Sequence, residues 1–384
     1  MLTKRQEEVM QAYTDSNNNA VAAAKKLGMS KQGVQAAVNA VKLKLAKNGI
    51  SDSMNLSDHV LPGHYVKGVS TLIDSDGKEK IRWIKSDTDK EHQEQIMKAM
   101  VDAMCEDIKP AKAVKPAPKK TDKDLLNMFI ITDYHLGMYA WCEETNGMDW
   151  DIKKAEKFLY DWFVAAIEQA PDAHTAVFAQ LGDFHHWDGM IPETNASKNS
   201  LDADTRIQKL IRVAIRVTRR VIALLLSKHK HVHVLMCEGN HDEASSARDR
   251  EMWPVLYENE PRITVDKSVF PFYSYEWGAT SLFWHHGHKK NHKQVPQVFM
   301  THFRELYGRT KYSYGHTGHM HHELVDGSGP IHMTQHNTLA PNDSYSGKLG
   351  FGSDQRSQVV TYHKEFGRVG IVEVGPQIFM DKLK

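Results

Sequence analysis

Leu125-Leu126-Asn127-Met128-Phe129-Ile130-Ile131 runs without a break into Thr132-Asp133-Tyr134-His135. The first seven residues are a short apolar run of the kind that forms a strand buried on both faces. The Asp-x-His behind it sets two polar side chains of metal-ligand type just past the strand end. If the chain bends there, side chains at i and i+2 of one extended segment reach a common centre. The same order of events recurs downstream. Ala176 to Leu181 leads into Gly182-Asp183, Val232 to Met236 into Gly239-Asn240-His241-Asp242, and Ser281 to Trp284 into His285-His286-Gly287-His288. A last cluster, Gly315-His316-Thr317-Gly318-His319-Met320-His321-His322, closes the series. Between the second and third strands lies a long amphipathic helix with Ile207, Leu210, Ile211, Ala214, Val217, Val221 and Leu224 on one stripe. Strand, loop, helix, strand is the pattern of an α/β layered fold. In such folds ligands bind in the crevice outside the carboxyl ends of the strands, which is where these polar residues fall.

The donor chemistry is coherent. Carboxylate, imidazole and amide oxygen together suit a divalent ion such as Mn²⁺, Fe²⁺ or Zn²⁺. The candidates are too many for one ion and suit two, with one carboxylate shared. Two metals about 3.5–4 Å apart stabilise both the attacking and the leaving oxygen of a phosphoryl displacement. Each motif alone is weak, because a lone Asp-x-His arises by chance and a lone strand histidine is usually a hydrogen-bonded core residue. The signal lies in five motifs, in order, each following a strand.

That ordered set resembles the calcineurin-like metallophosphoesterase family, whose pattern is Asp-x-His, Gly-Asp, Gly-Asn-His-Asp/Glu, His and Gly-His-x-His. The resemblance covers about residues 125 to 345. Asp133-Tyr134-His135-Leu136-Gly137 and the Gly-Asp-x-x-His of Gly182 to His186 are most similar to the DNA-nuclease branch typified by SbcD. The layout is similar to phosphoesterases encoded by bacteriophages, with a helix-turn-helix ahead of the core. The resemblance implies a four-layer α-β-β-α sandwich and two divalent cations, Mn²⁺ foremost with Fe²⁺ or Zn²⁺ as alternatives. It gives Asp133, His135 and His321 to one metal, Asn240, His286 and His319 to the other, and Asp183 to the bridge. It makes His241 the general acid, oriented by Asp242, with His186 contacting the phosphate or supporting the acid. A metal-bridging hydroxide would attack phosphorus in line. At His285-His286 the family pattern selects His286, leaving His285 to the other face of the strand. His185, His316 and His322 have no place in the pattern and are expected to be structural or to support the ligands. Glu143 and Glu144 read as solvated loop acids. This chain departs from the nuclease branch in placing a module before the core and in having only 63 residues after His321, in place of a DNA-capping domain.

That module spans residues 1–50. Three helical segments, Leu2 to Tyr13, Asn19 to Leu27 and Lys31 to Ala46, follow one another, with the turn Leu27-Gly28-Met29-Ser30 between the second and third. Gly28 suits the positive φ of a helix end and Ser30 suits an N-cap. Helix, tight glycine turn, helix is the helix-turn-helix pattern, whose second helix enters the major groove of DNA. Lys31, Gln32, Gln35, Asn39 and Lys42 are the residues placed to read base edges and neutralise phosphates. A small bundle with solvated lysines is the plain alternative. Residues 51–107 read as a β-hairpin over 64–86 turning at Asp76-Gly77, then a helix over Lys90 to Cys105. Residues 108–123 are a Pro/Lys-rich linker, and 124–384 the catalytic domain.

Lys plus Arg number 49 against 48 for Asp plus Glu, so net charge points to no partner. Cys105, Cys142 and Cys237 are widely spaced, which argues against a disulfide framework and for a reducing compartment. The longest apolar stretch, Val221 to Leu226, is far short of the ~18 residues of a membrane span. The chain is therefore expected in the cytoplasm, that of a bacterial host cell if phage-encoded, with DNA as partner, no membrane, and a homo-oligomer compatible with the sequence. The leading expectation is a DNA nuclease. Its alternatives are a phosphatase or phosphodiesterase on nucleotides or phosphoproteins, and a DNA-binding regulator whose core binds metal without catalysis.

Overall fold

Apolar residues at helical spacing near the start of the chain, and apolar runs of strand type later, become two separate units in the computed structural model. These are Met1–Asp107 and Ile108–Lys384. The structure describes residues 3–47, 50–51, 54–55, 64–73, 79–88, 118, 120–344, 347 and 354–380.

The first unit begins with α1 (Lys4–Thr14), α2 (Ala20–Leu27) and α3 (Lys31–Lys47). Each start is capped by a short polar side chain that satisfies an otherwise orphaned amide. Thr3 forms a capping box with Gln6, Asn19 accepts from Val21 and Ala22, and Ser30 Oγ accepts from Gly33 at 3.0 Å. Gly28 ends α2 at φ 62°, as the turn demands. Val9, Ala20, Ala23, Ala24, Val34 and Val38 form the core of this bundle, small residues that let the helices approach closely. Then β1 (Ile50–Ser51) pairs with β2 (Met54–Asn55), and β3 (His64–Ile73) with β4 (Glu79–Thr88), both antiparallel. The second pair is the expected hairpin. Its turn, the helix expected over Lys90 to Cys105 and most of the linker lie outside the described residues.

In chain order the second unit runs β5 (Asp122–Ile131), α4 (Cys142–Thr145), α5 (Ile152–Gln169), β6 (Ala173–Gln180), α6 (Ile207–Lys228) and β7 (His231–Met236). It continues with α7 (Glu243–Leu256), β8 (Ile263–Val265), β9 (Tyr273–Trp277), β10 (Thr280–Trp284), α8 (Val295–His302), α9 (Arg304–Arg309) and β11 (Tyr312–Thr317). It ends with β12 (Leu324–Asp326), β13 (His332–Gln335), β14 (Ser357–His363), β15 (Gly367–Val374) and α10 (Gln377–Met380). One sheet has the order β15-β14-β5-β6-β7-β8, with β5 to β8 parallel. The other has the order β12-β13-β11-β10-β9, with β10, β11 and β13 parallel.

Alternation along the strands builds the layers. Met128 and Ile130 of β5, Val177 and Ala179 of β6, and Leu282 and Trp284 of β10 share one buried cluster, so the two sheets pack face to face. Phe129 and Phe178 point the other way, onto Phe163 of α5, with ring centroids 5.9 and 5.7 Å away. On the second sheet Phe283 turns outward onto Phe299 of α8 at 5.0 Å. The unit is a four-layer α-β-β-α sandwich, the fold class expected. In α6 the buried stripe is as expected except that Leu225 is buried and Leu224 only half-buried. No helix among the described residues is long and apolar enough to cross a membrane.

Candidate metal centre

Asp133, His135, Asp183, His319 and His321 follow the carboxyl ends of β5, β6 and β11, and all five hold left-handed backbone, at φ 51°, 48°, 53°, 71° and 56°. Such conformations are rare without glycine and persist only where surrounding structure over-determines them, at about 1–3 kcal/mol each. Here they turn each segment sharply as it leaves its strand and aim side chains two apart at one point. A short ladder holds the turns: Asp133 N–H donates to Gly182 O at 3.0 Å, His135 N–H to Asp183 O at 2.9 Å, and Leu136 N–H to Phe184 O at 2.8 Å. Glycine lets the loops abut. A Cβ at Gly239 would collide with the Asp183 carboxylate and backbone, and one at Gly318 with Thr132 and Asp133.

The donors then fall into overlapping groups. Ligand atoms of Asp133, His135 and His321 lie within 4.8 Å of one another, as do those of Asp133, Asp183, His286 and His319. Asn240 Oδ1 stands 3.2 Å from His286 Nε2, so all seven expected ligands converge. Asp133 and His286 are fully buried and Asp183 nearly so. Two carboxylates, four imidazoles and one amide suit a pair of divalent cations. Asp133 Oδ1 also points the same way: it is buried with no aligned hydrogen-bond donor, facing His321 Nε2 at 3.2 Å and His286 Nε2 at 3.8 Å. Its other oxygen is fixed by the Thr132 hydroxyl at 2.5 Å and the His319 amide at 2.8 Å. His286 Nδ1 donates to Leu181 O at 2.9 Å, which turns Nε2 toward the carboxylates, the usual way an outer partner orients a ligand imidazole. Burial opposes charge on His286, but Asp183 and Asp133 outweigh it and raise the ring to about 9. Burial would likewise raise Asp133, yet His321 and His286 hold it well below the usual carboxylate range.

The resemblance gave the shared position to Asp183. In the structure Asp133 is the carboxylate common to both donor groups, while Asp183 Oδ1 accepts the His241 amide at 2.8 Å and Oδ2 faces His286 Nε2 at 3.1 Å.

His135, His186 and His241 form a third donor group beside the first two. The His241 ring lies 4.8 Å from that of His135 and stacks parallel to His186 at 5.9 Å. Its Nδ1 donates to the His186 carbonyl at 3.0 Å, leaving Nε2 for a substrate. Burial, then the neighbouring His241, lowers His186 to about 3, so this ring is neutral near pH 7.

Asp242 corrects an expectation. It does not orient His241: its buried carboxylate accepts the amides of Gly239 (2.9 Å), Asp183 (3.1 Å), Phe184 (2.8 Å) and His185 (3.1 Å). Four buried amides outcompete one imidazole, because an unsatisfied buried donor is expensive. As the residue before α7, Asp242 would ordinarily cap that helix, but its side chain is turned away. Asp188 takes over, accepting from Ala244 and Ser245 at 2.8 Å each. Asp188 was not legible as a site residue, since a loop aspartate after a histidine pair reads as solvated.

His285, His316, His322 and His185 make other contacts. His285 stacks on Phe272 at 4.3 Å, His316 bridges His336 and Tyr362 at 2.9 Å each, and exposed His322 bonds Met320 O. His185 is buried between Asp242 and Asp249, 3.6 and 3.7 Å away. Glu143 and Glu144 are exposed, the latter accepting from Ser344. Lys31, Gln32, Gln35 and Asn39 are exposed on α3, opposite buried Val34, Val38 and Val41, and Gln35 donates to Asn39 at 3.2 Å. The Lys42 side chain lies outside the described residues.

No family model and no curated protein matches the sequence. Among solved structures, the chain is similar to a protein described as a predicted phosphoesterase from Streptococcus pneumoniae, at 10% identity over 66% of this chain and 99% of that one, TM-score 0.26. An archaeal phosphodiesterase matches at 14% identity over 65% and 99%, TM-score 0.32. Vps29 from Entamoeba histolytica, complexed with zinc, matches at 11% over 65% and 98%, TM-score 0.26.

Proposed function

We propose that the chain is a dinuclear-metal-dependent phosphodiester hydrolase acting on DNA. The observation that carries this reading is the convergence of seven ligand-type side chains on strand ends, five of them in left-handed backbone, with an imidazole pair beside them. Bound there, two divalent cations such as Mn²⁺ would supply Lewis-acid activation of water and neutralise charge on the phosphoryl oxygens. The residues themselves do the rest. Asp133, His135 and His321 would hold one position and Asp183, Asn240, His286 and His319 the other, with Asp133 within reach of both. His241 serves as general acid: with Nδ1 tied to the His186 carbonyl, Nε2 can hand a proton to the departing alkoxide. Asp242 and Asp188 act by fixing the backbone on either side of His241, at Gly239 and Ala244.

DNA is favoured over small esters by the two motif details of the nuclease branch and by the outward polar face of α3. Lys31, Gln32, Gln35 and Asn39 there suit phosphates and base edges. The test is Mn²⁺-dependent degradation of end-labelled single- and double-stranded DNA, with Asp183→Asn and a chromogenic phosphodiester alongside. Degradation that disappears in the variant is the expected result. Hydrolysis of the small diester with DNA untouched would move the substrate to a nucleotide or another phosphoester.

A further inference from the structure

A groove of about 690 Å³ opens directly beside His319, between the segment after β10 and the segment after β11. That size falls within the ~300–1,000 Å³ usual for small-ligand sites. Its composition is unlike that of the chain as a whole. Lys plus Arg and Asp plus Glu are almost equal overall, yet three lysines line this groove and, among the described residues lining it, none is acidic. The lysines are not equivalent. Lys289 is engaged by Glu238 at 2.6 Å and Glu243 at 3.2 Å, which fixes that wall. Lys290 and Lys293 are exposed and make no ion pair among the described residues. Two imidazole nitrogens in the same wall, His288 Nδ1 and His292 Nε2, are buried without a partner. The opposite edge carries Met320 and Leu324, apolar side chains 55% and 44% exposed.

One wall is thus cationic with spare donors and the other apolar, and one end abuts a candidate metal ligand. We infer that this groove binds the phosphate and base of the nucleotide next to the scissile phosphodiester, so that the substrate is a polynucleotide strand and not a phosphomonoester. A positively charged groove tracking a backbone, with apolar surface for the bases, is the general solution for single-stranded nucleic acid. Loop proximity makes the coupling direct. A Cβ on Gly287, at the groove's start, would sit 3.1 Å from that of His319. The groove and the candidate metal centre therefore share a wall, so a strand bound at one can continue into the other. The inference rests on the hydrolase reading above, and its test separates the two.

The probes are thymidine 5′-monophosphate and thymidine 3′,5′-bisphosphate, titrated calorimetrically into the full-length, Mn²⁺-loaded protein. The wild type is expected to bind the bisphosphate at least tenfold more tightly. In the double variant Lys290→Ala/Lys293→Ala that ratio should collapse toward one, with the circular dichroism spectrum and melting temperature retained. Equal affinity of the wild type for both probes would overturn the groove while leaving the hydrolase reading intact. So would a double variant that keeps the preference. Binding of neither probe would sink the hydrolase reading and the groove together. As a second readout, the double variant should lower the salt dependence of binding to a labelled oligothymidylate in EDTA, since each lysine lost removes counterion release. An unchanged slope would also count against the groove.

Discussion

The candidate metal centre and the N-terminal helical bundle treat local rules in opposite ways. In the bundle each helix start has its cap, Gly28 takes the left-handed turn, and small apolar residues are buried at helical spacing. At the candidate centre non-glycine residues occupy left-handed backbone, carboxylates are buried, and imidazoles crowd together. A segment that obeys every rule explains its own fold and leaves function open. Strain and buried charge need an outside reason, because nothing in folding rewards them. Function is therefore more legible where the rules are broken.

The largest effect should come from the group that has least to do with stability. His241→Asn removes the imidazole beside His135 but leaves the seven ligand-type side chains in place. Turnover of DNA should fall by about 10²–10⁴-fold, the usual range for a lost general acid. Metal content measured by mass spectrometry should stay at wild-type level. A diester with a p-nitrophenolate leaving group should be affected far less, since that group departs without a proton. Loss of metal in this variant would mean that His241 is a ligand, which its position beside His135 and His186 makes a real contest.

Asp242 tests the same contrast from the structural side. Asp242→Asn replaces one acceptor oxygen with a donor facing buried amides, so it should lower stability by about 1–3 kcal/mol, read by chemical denaturation. The pH–rate profile of the remaining activity should keep its shape. A shifted acidic or basic limb with unchanged stability would instead restore Asp242 as the partner of His241.

The difference also explains what could be read from the sequence. The layered fold and the convergence of seven ligand-type side chains were legible because each of them follows a strand, and order along the chain survives folding. The partner of His241 was not. Asp242 is adjacent in sequence, but hydrogen bonding is decided by which buried donors compete for it, and three of its four amides come from residues 183–185. The choice of Asp133 over Asp183 as the carboxylate common to both groups depends on how loops from the two sheets meet, which no local pattern encodes. The groove was only half legible. Lys289, Lys290, Lys293 and Arg206 read from the sequence as cleft-wall cations or equally as a solvated surface, and the meeting of the segments after β10 and β11 brings the three lysines, but not Arg206, to one groove.

The smallest expected effect lies in the bundle. Ser30→Ala removes the side chain that accepts from Gly33 at the start of α3, a cap of ordinary geometry. The expected loss is about 0.5–2 kcal/mol, measured on the full-length chain by hydrogen exchange of amides in α3. The amides of the β5–β6 ladder, in the other unit, should exchange as before, and the metal content should not change. Gly28→Ala sharpens the point. Open space surrounds that position, so only the positive φ resists the methyl group, and the cost should be comparably small. At Gly239 the added methyl instead meets the Asp183 carboxylate, and Gly239→Ala should empty the metal centre. The same substitution thus separates a glycine kept for its backbone from one kept for what stands against it.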